Sequence, residues 1–111
     1  MTGKIAALRV RVEAASGADR ALDAEIATCF GVAGPPPDYT ASVDRCLELI
    51  HGHLAGWAWH VGWNASGVLP YATLHRGDHL LAAAAPTVPL ALLRALLHAL
   101  DLSADAARLE R

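Results

Sequence analysis

The chain has 111 residues, 54% of them hydrophobic and 18% charged, with a formal net charge of −2. That length fits one domain, and that balance argues against disorder. No basic run exists, so the electrostatic footprint of a nucleic-acid binder is missing. The longest apolar stretch, residues 80–93, is broken by Pro86 and Pro89 and is too short for a membrane span. The opening MTGKIAALRVRVEAAS has basic residues but no continuous apolar core, so a signal peptide is not expected and a cytoplasmic location is. Cys29 and Cys46 stand in no metal or redox spacing and read as small buried hydrophobes.

In chain order, Ile5, Leu8, Val12 and Ala15 recur at helical spacing and predict a short amphipathic helix over 4–15, closed by Ser16-Gly17. Asp19 is suited to cap a second helix, whose inward stripe is Leu22, Ile26, Cys29 and Phe30. Asp23 and Glu25 are expected to face water. GVAGPPPD (31–38) is a loop, because three consecutive prolines support neither helix nor inner strand. Thr40 or Ser42 caps a third helix with the stripe Val43, Cys46, Leu47 and Ile50. Asp44, Arg45 and Glu48 take its outer face, and the helix ends near His51-Gly52-His53.

WAWHVGWN (57–64) places Trp57, Trp59, Val61 and Trp63 at every second position, the period of one strand face. All three tryptophans therefore share a side. The plain reading is a core face covered by helices. The sharper readings are a base-stacking platform, for which Arg76 is the only basic residue in the sheet, or anchors at a protein interface. Ala65-Ser66-Gly67 reads as a hairpin turn, and 68–76 as a second strand in which Pro70 suggests an edge or a bulge. Gly77-Asp78 turns into a third strand over 79–84. Thr87 caps the last helix, with Pro89 in its first turn. Its leucines leave only the narrow polar stripe Arg94, His98 and Asp101, so most of its sides are expected to be buried. Residues 103–111 read as a polar tail, frayed or weakly helical.

Six histidines raise the question of metal, but no zinc-binding spacing is present, and His51 and His53 would share a face only in an extended chain. No activated nucleophile, carboxylate pair or phosphate loop is found either. Neither an enzyme, a cofactor nor a metal is expected.

Four blocks, RVEAASGADRALDAEIA (11–27), DYTASVDRCLELI (38–50), WAWHVGW (57–63) and AAAAPTVPLALLRALLHAL (82–100), carry a resemblance. Together they make the chain similar to the phage ABA sandwich domain, a family of small phage and prophage proteins. Its most specific part is the pair R-x-L-D-x-x-I-A and Y-T-x-S-x-D. The last block departs slightly, since Val88 separates Thr87 from Pro89. The resemblance implies helix, sheet and helix layers and a phage origin. It transfers no catalytic residues.

The expected architecture is a single α+β domain over 1–102: three helices, a three-stranded antiparallel meander packed between helices (an α-β-α sandwich), and a C-terminal helix. The expected core holds Leu22, Ile26, Val43, Leu47, Ile50, Trp59, Val61, Leu93 and Leu97. The expected function is a non-catalytic protein-binding module that inhibits a host machine or a nucleic-acid-guided defence complex, in the manner of an anti-CRISPR protein. Asp23, Glu25, Asp44, Glu48, Trp57, Arg94 and His98 are its candidate contacts, the acidic ones meeting a basic groove. One alternative is a virion or packaging accessory protein that self-associates through the last helix, as a ring or higher oligomer; a homodimer through that helix is compatible with the first reading. The other is a metal or catalytic protein using His51, His53 or His79.

Overall fold

The computed structural model describes residues 2–109. In chain order the elements are α1 (Thr2–Ala14), α2 (Arg20–Cys29), a 3₁₀ turn (Tyr39–Ala41), α3 (Val43–His53), β1 (Ala58–Trp63), β2 (Pro70–Arg76), β3 (His79–Ala84) and α4 (Val88–Leu109). This is the expected α+β class in the expected order. The helix starts follow from side-chain caps that satisfy otherwise orphaned amides. Asp19 accepts from Leu22 N–H at 3.1 Å, Ser42 from Arg45 N–H at 3.2 Å, and Thr87 from Leu90 N–H at 3.3 Å. Of the two residues weighed for α3, Ser42 is therefore the cap. Of the tail at 103–111, α4 runs on through Leu109, and the last two residues lie outside those described. No described helix is long and apolar enough to cross a membrane.

The three strands form an antiparallel sheet in the order β1-β2-β3. Trp59 pairs with Leu74, Val61 with Ala72 and Trp63 with Pro70, so all these side chains share one face. Leu81 and Ala83 extend that face onto β3. α4 lies against it, mainly over β2 and β3, and among the described residues no other helix packs on the sheet. α1, α3 and the 3₁₀ turn pack on the far side of α4, with α2 against α1. The layering is therefore helices, α4, sheet. The expected sandwich, with the sheet in the middle, is corrected: α4 is the middle layer and the opposite sheet face is open. On that open face Gly62 lies under the Tyr71 ring, where an added Cβ would come within 3.0 Å of the hydroxyl oxygen.

Burial follows the layering. Leu90, Leu92, Leu93, Leu96 and Leu97 of α4 are all buried, as are Ile5, Leu8 and Val12 of α1, Leu22 and Ile26 of α2, and Cys46, Leu49 and Ile50 of α3. Each fully buried aliphatic side chain contributes about 1.5–3 kcal/mol of transfer free energy. The leucines of α4 from Leu90 to Leu97 are thus spent inside one chain, while Leu102 further along the helix is 45% exposed. Of the expected core, Val43, Leu47 and Val61 are only partly buried, and Trp59 is 40% exposed. The reason is width. A helix is about 10–12 Å across and strands are spaced about 4.8 Å, so a helix seated over β2 and β3 does not reach past β1.

Pro70 is the second correction. It opens the central strand, not an edge. The Ala85 N–H donates to the Pro70 carbonyl at 3.2 Å, and only the return bond that a proline cannot make is lost.

Candidate functional site

Two groups of residues compete for the role of site: the charged helix positions and the tryptophan strand. The charged positions turn out to hold the helices together. Asp23, expected in water, is 1% exposed. It sits in the first turn of α2, where it accepts from the Thr40 N–H and the Thr40 hydroxyl, each at 2.8 Å, and from Arg20 at 2.9 Å. The Thr40 hydroxyl in turn receives the Asp19 N–H at 2.8 Å, and Arg20 also donates to the Pro36 carbonyl. Burial of a carboxylate is tolerated here because its oxygens are met by donors. The two most specific motifs of the sequence, R-x-L-D and Y-T-x-S, thus form one clasp between α2 and the turn before α3.

Glu25 pairs with Arg11 across α1 and α2 at 2.7 Å, and the carboxylate raises the Arg11 pKa further. Glu48 pairs with Arg45 one turn away at 2.8 Å, so the outer face of α3 carries a neutralised pair beside exposed Asp44. Arg94, half-buried, is a clamp: it donates to the Ala84 carbonyl at 2.7 Å and the Glu13 carbonyl at 2.9 Å, tying the ends of β3 and α1 to α4. Its Nε lies 3.5 Å from the Glu13 carboxylate and makes no hydrogen bond. His98 is half-buried on α4, and Trp57 is half-buried beside His79, ring centres 6.4 Å apart. These seven residues lie on α2, α3, α4 and the approach to β1. They do not form one surface.

The histidine reading fares as the helix dictates. His51 and His53 both lie in α3, where a two-residue step turns them to different sides. His79 starts β3. Among the described residues no group of three or more His, Cys, Asp or Glu is placed to hold a metal. Burial pushes the Cys46 thiol up to about 12 and raises that of Cys29, so both are protonated at neutral pH. Cys46 donates to the Tyr39 carbonyl at 3.1 Å. The grooves are shallow spaces between elements. One of about 630 Å³ lies between the β2–β3 turn and α4, lined by Trp57, Arg76, Asp78 and His79 among others. Another of about 440 Å³ runs between α1 and α2.

The tryptophan strand is different. β1 is an edge strand, and beyond β2 it meets only α4, at its margin. Trp59 is 40% and Trp63 60% exposed on the inner face, and in the adjoining turn Val68 is 70% exposed, with Leu69, opposite Asn64, 40% exposed toward the other face. A tight turn holds this corner: Gly67 N–H bonds the Asn64 carbonyl at 2.8 Å, with Gly67 at φ 70°, and Asn64 Oδ1 accepts from Val68 N–H at 3.3 Å. The free edge can be read from the register. Asn64 N–H donates to Leu69 O, so by antiparallel alternation Ala58, His60 and Gly62 also turn their amides toward β2. Trp59, Val61 and Trp63 turn theirs outward. Trp57 N–H points outward too, but is met by the Leu54 carbonyl at 3.1 Å.

The β1 corner thus combines exposed apolar side chains with an unpaired strand edge, two features that soluble domains usually cover or blunt. Sequence spacing placed the indoles on one face but took that face to be roofed. The signal that could have found the patch is the meander itself, which makes the first strand of three an edge. No family model, no curated protein and no solved structure matches the chain.

Proposed function

We propose that the chain is a non-catalytic protein-binding module of phage or prophage type, acting in the host cytoplasm on a host machine such as a defence complex. The observation that carries this reading is the pair Trp59 and Trp63, 40% and 60% exposed at the sheet edge. Tryptophans dominate the energetics of protein interfaces, and an apolar patch of this kind is costly to leave in water. The resemblance of the α2 and pre-α3 motifs to the phage ABA sandwich domain supports the origin. Neutral thiols and dispersed histidines support a role without chemistry. The docking surface moves accordingly, from the acidic helix faces to the β1 corner, since Asp23 is buried and Glu25 and Glu48 already have arginine partners.

The test is capture from host lysate with wild type and the Trp59→Ala/Trp63→Ala double variant as bait. The expected result is a stoichiometric partner held by the wild type and released by the double variant. A partner retained equally by both, or none at all, sinks the reading.

A further inference from the structure

We infer that the β1 edge pairs with the β1 edge of a second copy of this chain, joining two three-stranded sheets into one of six strands. This rests on reading the β1 corner as an interface and names what covers it while the host partner is absent.

Three observations select this occupant. The first is the hydrogen-bond pattern. The outward-facing residues of the edge are Trp59, Val61 and Trp63, and an antiparallel pairing with a twofold axis at Val61 sets Val61 opposite its own copy and each Trp59 opposite a Trp63. That single register uses the outward amides and carbonyls of all three residues and leaves none of them orphaned. Side chains paired in this way share a face, so the more exposed indole of each copy lies beside the less exposed indole of the other.

The second observation is charge. Ala58–Trp63 contains no Asp, Glu, Lys or Arg, and no proline. Natural edge strands are usually blunted by such residues to prevent self-pairing, and here that protection is missing. A copy meets no like charge.

The third is the contrast with the other edge. Ala85 N–H points at β2, so Ala84 points outward, and its carbonyl is already taken by Arg94 at 2.7 Å. A strand arriving over the end of β3 would have to displace that guanidinium, although Leu80 and Ala82 keep their outward groups. Of the two edges, β1 is the one that also carries exposed indoles.

The area sets the strength. Trp59 and Trp63 together leave bare about the surface of one indole side chain, on the order of 150–250 Å². Val68, in the adjoining turn, is exposed as well. This is below the roughly 800 Å² per partner of a standard stable interface, so the dimer is weak and depends on concentration.

Sedimentation velocity on the intact chain, from micromolar to millimolar, tests the proposal. The wild type is expected to pass from monomer to dimer and no further. Val61→Pro removes an N–H that the monomer does not use, and Trp63→Lys places a charge on a mostly exposed position. Both are expected to stay monomeric over the same range with unchanged circular dichroism. Val61→Cys puts two thiols opposite one another at about 5.5 Å between Cα atoms, within disulfide range, and is expected to cross-link on mild oxidation where the wild type does not. A wild type that stays monomeric overturns the inference, as does a dimer indifferent to both Val61→Pro and Trp63→Lys. Should either variant unfold, the Val61→Cys cross-link decides alone. A monomeric wild type whose indole emission shifts with an uncharged extended peptide hands the edge to a foreign strand. That result overturns the self-pairing but leaves the proposed function standing, which fails only on the lysate capture.

Discussion

α4 and β1 both carry large apolar side chains, and they end in opposite circumstances. Leu90, Leu92, Leu93, Leu96 and Leu97 of α4 are buried between the sheet and the α1–α3 layer. The two tryptophans of β1 lie on the face turned to the same helix, yet Trp59 stays 40% and Trp63 60% exposed. Both elements turn large apolar side chains to the same space. What differs is place: α4 is a middle layer, and β1 is the rim of an outer one. Burial in a domain this small is thus set by the order of layers as much as by the side chains themselves.

Mutation can break that contrast most severely at Leu96. Leu96→Ala opens a cavity where no neighbour can collapse fully, and is expected to cost about 2–5 kcal/mol. The melting temperature should fall by on the order of 10 °C. A loss no larger than that of an exposed leucine, measured by urea unfolding, would show that α4 is not the true centre. Next comes the clasp. Asp23→Ala strands the Thr40 amide in the interior and is expected to cost about 1–3 kcal/mol, whereas Asp23→Asn keeps an acceptor and should lose less than half as much. Equal losses for the two would mean that the ion pair with Arg20, not the hydrogen bonds, holds the carboxylate.

The third prediction concerns pH. Cys46 is raised from 9.0 to about 12 by burial, so the folded state favours its neutral form. Its contribution is fully present below pH 9.0 and is lost as pH rises toward about 12. The loss should be on the order of 1 kcal/mol by about pH 10, and a Cys46→Ser chain should lack this part of the alkaline decline. Alkylation of Cys46 at neutral pH should require unfolding. The smallest effect belongs to the rim. Trp63→Ala is expected to change stability by less than about 1 kcal/mol, although it removes the largest side chain type in the protein. A larger loss would place that indole in the core after all, and the contrast between the two regions would vanish.

Much of this fold was legible from spacing alone. Asp19 and Thr87 cap their helices as their positions suggest, and the stripes of α1 and α4 are buried as their periods require. β3 has the bounds expected of it. Periodicity failed where the deciding contact is distant in sequence. Asp23 sits four residues from Asp19 on what looks like a wet face, and only Thr40, seventeen residues on, explains its burial. Pro70 reads as an edge residue because a local rule cannot see that Ala85 will approach it. Trp59 reads as core because alternation gives a face but not the width of the helix that covers it. The candidate site was half legible in the same sense. Its residues were singled out, but their exposure depends on which strand ends a sheet, and that is a property of the assembled domain.

The Arg94 clamp has a last consequence. A sheet with two receptive rims can recruit copies without limit and grow into a fibre. Here a guanidinium drawn from the central helix occupies one end of the β3 rim, at the Ala84 carbonyl, and makes the two rims unequal. A strand approaching that end of β3 finds its acceptor already taken. The feature that fastens β3 and α1 to the core therefore also shortens one of the two rims along which further strands can add.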